Sequence, residues 1–212
     1  MISIQDIILV AIAYLIGSIP TSVWIGRRFY ATDVREHGSG NSGATNSLRV
    51  LGKKAGVIVL LIDILKGWLA VVGLAYLSTY ASGSSEKIHL EVALACAAIV
   101  GHILPIYVGF KGGKGVATGL GIIFAFSPIV GLLCIVVFAL VFFAFHYVSV
   151  ASMIGAMSFP IWMALVSKMH YGWVVAFSIF LPLIVIFMHR KNILRLMKKE
   201  ESKIQLFKKT DS

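Results

Sequence analysis

The chain has 212 residues, of which 58% are hydrophobic and only 13% are charged, and its mean hydropathy is +0.92. A soluble domain carries about twice that share of charged residues, so a soluble fold is excluded. The net charge of +10 resides in loops and the C-terminal tail, where anionic lipid headgroups account for it, and nucleic-acid binding is therefore not expected. Several apolar runs exceed the ~18 residues that cross a bilayer. The sequence thus predicts an all-α, polytopic integral membrane protein with a single domain over residues 1–212.

The spans are predicted as helices, because the apolar runs are long and lack the alternation of membrane β-strands. The first three spans cover about residues 4–25, 55–77 and 91–107, and a polar outer loop over residues 78–90 separates the second from the third. The apolar stretch 116–188 is too long for two ordinary spans. Polar breaks divide it into four, and these breaks lie at Ser127-Pro128, at residues 146–149 and at residues 167–172. The first of the four, about residues 116–126, is short for a full crossing.

The positive charges orient these spans. All but three of the 19 Lys and Arg residues lie in segments 27–54, 109–115 and 189–212. Cytoplasmic loops of membrane proteins are enriched in these residues, so the three segments are predicted to be cytoplasmic. The prediction is seven transmembrane helices with the N-terminus outside and the C-terminus in the cytoplasm. In an alternative five-span arrangement, residues 116–145 form one span and the region near residues 150–165 is peripheral.

Five polar or sulfur-containing residues inside the predicted spans need an interpretation of their own. Asp63 and Lys66 lie one turn apart, and because charges at membrane depth need partners, they are predicted to form an ion pair that fixes helix packing. His102 is predicted to be a hydrogen-bonded structural residue in preference to one that orients a site. Cys96 and Cys134 show no metal or disulfide spacing and are interpreted as small core residues.

Three polar clusters lie in the predicted cytoplasmic segments. Residues 38–49 are rich in Gly, Ser and Asn and end in Arg49, a combination that suits an oxyanion, although a helix-capping loop is the alternative. The second cluster, residues 111–115 (KGGKG), precedes a predicted helix start. Glycine N–H groups that converge on an anion, with two lysines beside them, predict a phosphate site, and a plain cytoplasmic turn is equally consistent.

The third cluster follows the last span. His189 and Asn192 are three residues apart, so on a continuing helix they share a face and can meet one ligand. An interface histidine beside a basic tail is the alternative. Ser149 and Ser152, near the cytoplasmic end of another span, are able to donate to a phosphate or to a neighbouring helix.

Several catalytic motifs are absent from the sequence. It contains neither H-x-x-E-H nor H-E-x-x-H, no carboxylate cluster in the cytoplasmic loops, and no G-x-S-x-G. No histidine is followed five positions later by aspartate, so the HX4D acyltransferase dyad is missing as well. Neither a metal nor a cofactor is expected.

Three motifs occur in the order found in a known family. They are GSIPTS followed by SGNSGATNSLRVLG (39–52), GHILPIYVGFKGGKGVATG (101–119) and HRKNILRL (189–196), and HYVSVASM (146–153) falls where the family has a similar segment. The chain therefore resembles the bacterial acyl-phosphate:glycerol-3-phosphate acyltransferases, the PlsY family. His146 and Lys191 depart from the family pattern, which usually has arginine and glutamate at these two positions.

The resemblance implies a seven-helix enzyme of the bacterial cytoplasmic (inner) membrane. Such an enzyme transfers a fatty acyl group from acyl phosphate to the sn-1 hydroxyl of glycerol 3-phosphate. The products are 1-acylglycerol 3-phosphate (lysophosphatidate) and phosphate, in the first acylation step of phospholipid synthesis. The implied partners are acyl phosphate, glycerol 3-phosphate and membrane lipids, and a monomer is expected.

The motif match also implies a set of site residues. The catalytic candidates are His189, Asn192, Ser39, Arg49 and Lys114. The substrate-binding candidates are Asn41, Thr45, Asn46, Lys111, Gly112, Gly113, Gly115, Ser149 and Ser152. Because acyl phosphate has a good leaving group, positioning and charge neutralisation are expected to suffice, with a substrate phosphate or His189 assisting proton transfer and no covalent acyl-enzyme.

Two other functions fit the same composition. A transporter for organic phosphate would use the same cations, but it needs a path across the membrane and commonly an internal repeat, and the sequence shows neither. A scaffold or regulatory membrane protein would tolerate the loss of Arg49 and Lys114, whereas an enzyme would not.

Overall fold

The computed structural model describes residues 3–166 and 171–203. The regular secondary structure of these residues is entirely helical, as predicted. The α-helices are α1 (Ile4–Ser18), α2 (Thr21–Tyr30), α3 (Ala44–Val50), α4 (Lys53–Trp68), α5 (Ser85–Ile103), α6 (Val116–Phe126), α7 (Pro128–Phe145), α8 (Val148–Val166), α9 (Gly172–Met188) and α10 (Arg190–Met197). α4 continues through a π-helical turn, Leu69–Gly73, and a last α-helical turn, Leu74–Tyr76.

Helix length and composition confirm the membrane class. Within the described residues, four helical segments are long and apolar enough to cross a bilayer: Lys53–Tyr76, Ser85–Val108, Pro128–Phe145 and Val148–Val166. The number rises to six if the bent pairs α1–α2 and α9–α10 each form one span. α6 has 11 residues, which is too short for a full crossing, as its sequence predicts.

The predicted first span is not one continuous helix. α1 ends at Ser18, and α2 runs at 42° to it. The break falls at Pro20, because proline has no N–H to continue the helical hydrogen bonds. The sequence analysis missed this bend because residues 4–25 are apolar almost throughout, and hydropathy does not report a change of helix direction.

The predicted ion pair between Asp63 and Lys66 is confirmed. Lys66 Nζ lies 2.8 Å from Asp63 Oδ1, and both side chains are buried. The Thr21 hydroxyl donates to the same carboxylate at 2.9 Å, and Lys66 donates to the carbonyl of Ile19 at 2.8 Å. The pair therefore attaches α4 to both sides of the break at Pro20.

The polar outer loop is shorter than predicted. α5 begins at Ser85 and not near residue 91, because the Ser84 hydroxyl accepts the N–H of Lys87 and caps the helix. The breaks at Ser127 and His146 fall where the sequence predicts them. The predicted break at residues 167–172 lies mostly outside the described residues.

The helices pack around an apolar core. α1 packs against α5, α4 against α6, and α7 against α8. Leu94, Ile122 and Phe159 are fully buried between them. Apolar residues also cover the outer surface, where Leu165 is 71% exposed, as expected for a side chain that faces lipid.

Arg35 connects the loop between α2 and α3 to the chain that leads to the second polar cluster. Arg35 binds the carboxylate of Asp33 through two nitrogens, at 3.0 and 2.8 Å, and donates to the carbonyl of Val108 at 2.9 Å. The loop between α2 and α3 is thereby held against the chain that leads to the KGGKG loop (residues 111–115). This contact positions the first two polar clusters next to each other.

Candidate active site

A polar cavity of about 160 Å³ lies where three segments distant in the sequence meet. It is lined by Ser39, Gly40 and Asn41 of the α2–α3 loop, by Lys114, and by Met188, Arg190, Lys191, Asn192 and Arg195 around the α9–α10 bend. The structure thus brings together four of the predicted site residues: Ser39, Asn41, Lys114 and Asn192. Four of the lining side chains are cationic, so the cavity favours an anionic ligand.

The first polar cluster is shaped by Asn46. Its side-chain Oδ1 accepts the N–H of Ser39 at 2.9 Å, and its Nδ2 donates to the carbonyls of Val34 at 2.6 Å and His37 at 3.1 Å. The amide is buried and its hydrogen bonds are made within the protein. Asn46, predicted to bind substrate, therefore supports the loop that presents Ser39 and Asn41.

Arg49 lies on α3, at the edge of the site. Its side chain is exposed, and it donates to the carbonyl of Ser202 at 3.4 Å. It is nevertheless close enough that its positive charge contributes to lowering the pKa of Lys114. Arg49 and Lys114 therefore share one electrostatic environment, although Arg49 does not line the cavity.

The KGGKG loop folds back on the end of α5. The N–H of Gly112 donates to the carbonyl of Ile103, and that of Gly113 to the carbonyl of His102, both at 3.1 Å. The prediction that these two N–H groups converge on an anion is wrong, because carbonyls of the protein already accept them. What the loop contributes to the cavity is the side chain of Lys114.

Lys114 is the cation at the centre of the arrangement. Its ammonium group donates to Oδ1 of Asn192. Burial lowers the pKa of Lys114 to about 8, opposed by the negative charge of Glu201 and assisted by the positive charges of Arg195 and Arg49. Lys111, in contrast, is exposed and does not line the cavity.

The third cluster lies at a bend and not on a continuing helix. α9 ends at Met188, and α10 follows His189 at an angle of 56°. His189 is buried, with Nδ1 2.7 Å from the carbonyl of Val185. Because a carbonyl only accepts, Nδ1 carries the proton in this contact, and Nε2 is the nitrogen that can accept another.

Glu201 is a site residue that the sequence analysis missed. Its Oε1 accepts from the Ser149 hydroxyl at 2.8 Å and from Asn192 Nδ2 at 2.7 Å, and its Oε2 accepts from Arg195 Nε at 2.8 Å. Burial raises the pKa of Glu201, but the hydrogen bonds from Arg195, Asn192 and Ser149 outweigh burial and hold it below the ordinary value. The sequence feature that could have pointed to Glu201 is the acidic pair Glu200-Glu201 inside a basic tail.

The other predicted candidates lie outside the cavity lining. They are His189, Arg49, Thr45, Asn46, Lys111, Gly112, Gly113, Gly115, Ser149 and Ser152. Ser149 reaches the site through Glu201, and Ser152 is buried one turn further along α8. Among the described residues, no group of three or more His, Cys, Asp or Glu side chains is placed to hold a metal ion.

These features define a helical integral membrane protein with a cationic cavity at the meeting point of three polar segments. Residues 7–199 match the family model described as glycerol-3-phosphate acyltransferase. The chain is 43% identical over 205 residues to the glycerol-3-phosphate acyltransferase of Listeria monocytogenes serovar 1/2a, covering 96% of this chain and 98% of the relative. The enzyme of the same description from Endomicrobium trichonymphae is 42% identical over 206 residues, with the same shares covered.

Two solved structures are similar over most of their length. A crystal structure of PlsY, an integral membrane glycerol 3-phosphate acyltransferase, in its glycerol 3-phosphate form has a TM-score of 0.83 and 36% identity, covering 94% of this chain and 96% of that one. The lysophosphatidic acid form has a TM-score of 0.81 and 35% identity, covering 94% and 95%. The chain belongs to the glycerol-3-phosphate acyltransferase family, as its motifs predict.

Proposed function

We propose that this enzyme transfers a fatty acyl group from acyl phosphate to the sn-1 hydroxyl of glycerol 3-phosphate. Family membership supports the acceptor, and the similarity to PlsY structures in glycerol 3-phosphate and lysophosphatidic acid forms supports acceptor and product. The observation that carries the proposal is the cavity, where cationic and amide side chains from three distant segments surround one space. Both proposed substrates carry a phosphate, which is the chemistry such a lining recognises.

The phosphate of glycerol 3-phosphate is assigned to the part of the cavity between the KGGKG loop and α10. Lys114 and Arg195 supply positive charge there, and Asn192 is held between Lys114 and Glu201. Partial burial strengthens a charge-assisted hydrogen bond relative to one in water. These three side chains thus hold the acceptor by its phosphate and leave its hydroxyl free to react.

The donor phosphate is assigned to the opposite side, where Ser39 and Asn41 line the cavity and Arg49 lies at its edge. The acceptor oxygen attacks the acyl carbon, the bond from that carbon to the phosphate oxygen breaks, and inorganic phosphate leaves. The hydroxyl proton passes to a substrate phosphate or to Nε2 of His189. Because the leaving group is good, positioning and charge neutralisation supply most of the catalysis.

The proposal includes a topology. We infer seven spans, with the short α6 counted as the fourth and the N-terminus outside, so that the three cavity segments lie on the cytoplasmic face of the bacterial inner membrane. The asymmetric distribution of Lys and Arg supports this orientation. The acyl chain then extends from the cavity between lipid-facing helices, so that the reaction takes place at the membrane surface and its product stays in the bilayer.

A donor assay tests the proposal. The protein, purified in detergent, is given glycerol 3-phosphate with either a long-chain acyl phosphate or the matching acyl thioester. The proposal predicts 1-acylglycerol 3-phosphate from the acyl phosphate alone. Product from the thioester alone would overturn the assigned donor, and no product from either donor would favour a transporter, which needs a sealed vesicle to act.

A further inference from the structure

His102 lies directly beneath the KGGKG loop. It is in the last turn of α5, its side chain is 6% exposed, and Nδ1 lies 3.0 Å from the hydroxyl of Thr118 in the first turn of α6. The ring is therefore fixed by burial and by a hydrogen bond to the helix that follows the loop. The other edge of the ring, with Nε2, faces Gly113.

The space between this ring and Gly113 is too small for a side chain. A Cβ atom at Gly113 would lie 2.2 Å from Nε2 of His102 and 2.8 Å from its Cε1. Non-bonded heavy atoms in contact are normally about 3.5 Å apart, so either the ring or the loop has to move by roughly 1 Å. Since the ring is anchored to Thr118, the loop is the part that moves.

We propose that His102 is a positioning residue for the acceptor site. Its ring sets the distance of Gly113 from α5. Because Lys114 follows Gly113 directly, the ring also sets where the Lys114 ammonium meets Asn192. The inference rests on the proposed role of Lys114 and explains why residue 113 is glycine. A displacement of about 1 Å at a substrate-positioning group reduces turnover by as much as 100-fold.

The adjacent glycine provides a matched control. A Cβ atom at Gly112 would lie 2.1 Å from the carbonyl oxygen of His102 and 2.6 Å from that of Ile103. These are backbone atoms, which remain when the imidazole is removed. Shortening His102 therefore makes room at Gly113 but not at Gly112.

The experiment measures kcat and KM for glycerol 3-phosphate in six proteins purified in one detergent. These are the wild type, His102→Ala, Gly113→Ala, Gly112→Ala and the two double variants that combine His102→Ala with each glycine change. Gly113→Ala is expected to lower kcat/KM for glycerol 3-phosphate about 10- to 100-fold. Adding His102→Ala to Gly113→Ala is expected to raise kcat/KM again by at least about fivefold, whereas adding it to Gly112→Ala is expected to restore nothing.

Two results would overturn the inference. One is a Gly113→Ala variant that stays equally impaired when His102 is shortened, and the other is equal rescue of both glycine variants, which would indicate general loosening. If the alanine double variant does not fold, His102→Asn replaces His102→Ala in both backgrounds, because asparagine keeps an atom for Thr118 and lacks the edge that faces Gly113. Lys114→Ala is assayed in parallel. If Lys114→Ala has the wild-type KM, the proposed acceptor site itself is refuted. If Lys114→Ala loses activity but His102→Ala does not rescue Gly113→Ala, only the role of His102 is refuted.

Discussion

Lys114 donates a hydrogen bond to the side-chain carbonyl of Asn192, joining two polar clusters that lie 78 residues apart in the chain. The amide of Asn192 is oriented by opposite charges, since its oxygen faces an ammonium and its nitrogen faces the carboxylate of Glu201. Lys114 and Glu201 together therefore fix the orientation of the Asn192 amide. The proposed acceptor site is thus ordered by contacts within the protein, and such order lowers the entropic cost of holding a reactive geometry.

The two lysines of the KGGKG loop are predicted to differ in importance. Lys114→Ala should reduce kcat/KM for glycerol 3-phosphate by about 10- to 100-fold, the value of a hydrogen bond to a charged group. Lys111→Ala is the control, because Lys111 is exposed and a surface charge contributes at most about fivefold. Steady-state kinetics on both variants checks the prediction, and equal effects would contradict it.

The affinity for glycerol 3-phosphate should fall at alkaline pH. The pKa of Lys114 is about 8, so its positive charge is present below that pH and is lost above it. KM is therefore expected to rise between pH 8 and 9.5. Lys114→Arg keeps its charge over this range and should show a flatter KM profile, whatever its absolute activity. A wild-type profile as flat as that of the arginine variant would show that Lys114 charge does not bind substrate.

Glu201 is predicted to support the site through Asn192. Glu201→Gln removes the charge that Arg195 binds and turns one of the two acceptor oxygens into an NH2 group. In either orientation of the glutamine amide this NH2 faces a donor, Asn192 Nδ2 or Arg195 Nε. We expect kcat/KM to fall about tenfold, within the range for a lost charged hydrogen bond. Glu200→Gln, an exposed neighbour, is the control. Unchanged kinetics in Glu201→Gln would mean that the carboxylate only covers the site.

The buried ion pair of α4 is predicted to stabilise the fold. Asp63→Asn leaves Lys66 charged and without its carboxylate, at a cost of about 3–5 kcal/mol. A double variant, Asp63→Asn with Lys66→Met, removes both charges and should recover part of that loss. Thermal unfolding in detergent compares the three proteins. The prediction fails if Asp63→Asn is as stable as the wild type or if the double variant is less stable than Asp63→Asn.

The sequence predicted the fold better than the details of the site. Hydropathy located the apolar helices because burial in lipid depends on composition over a whole run, but it did not detect the bend at Pro20. Residue type identified the polar clusters. The spacing of their residues did not reveal whether each N–H group points into the cavity or toward the protein. The Gly113 N–H and the Asn46 amide both turned inward, toward partners that only the folded chain supplies.

Glu201 shows why the contacts within the site could not be predicted from residue type and spacing. It lies in a tail whose composition is typical of a cytoplasmic stop-transfer segment, and its role depends on the chain turning back after α10 to reach Ser149 and Asn192. No local pattern encodes that return. Contacts between residues far apart in the sequence, which form the site, were therefore the part least accessible to sequence analysis.

Equilibrium binding of glycerol 3-phosphate tests the central claim most directly. The claim is that one cavity, built from three separate segments, holds the acceptor and donor phosphates together. Titration calorimetry on the purified protein would compare the wild type with one variant from each segment: Asn41→Ala, Lys114→Ala and Asn192→Ala, with Lys111→Ala as control. We predict that Lys114→Ala and Asn192→Ala weaken the binding of glycerol 3-phosphate at least about tenfold. Asn41→Ala, which changes the donor side, is expected to weaken the binding of inorganic phosphate instead. Wild-type affinity in either Lys114→Ala or Asn192→Ala would contradict the account.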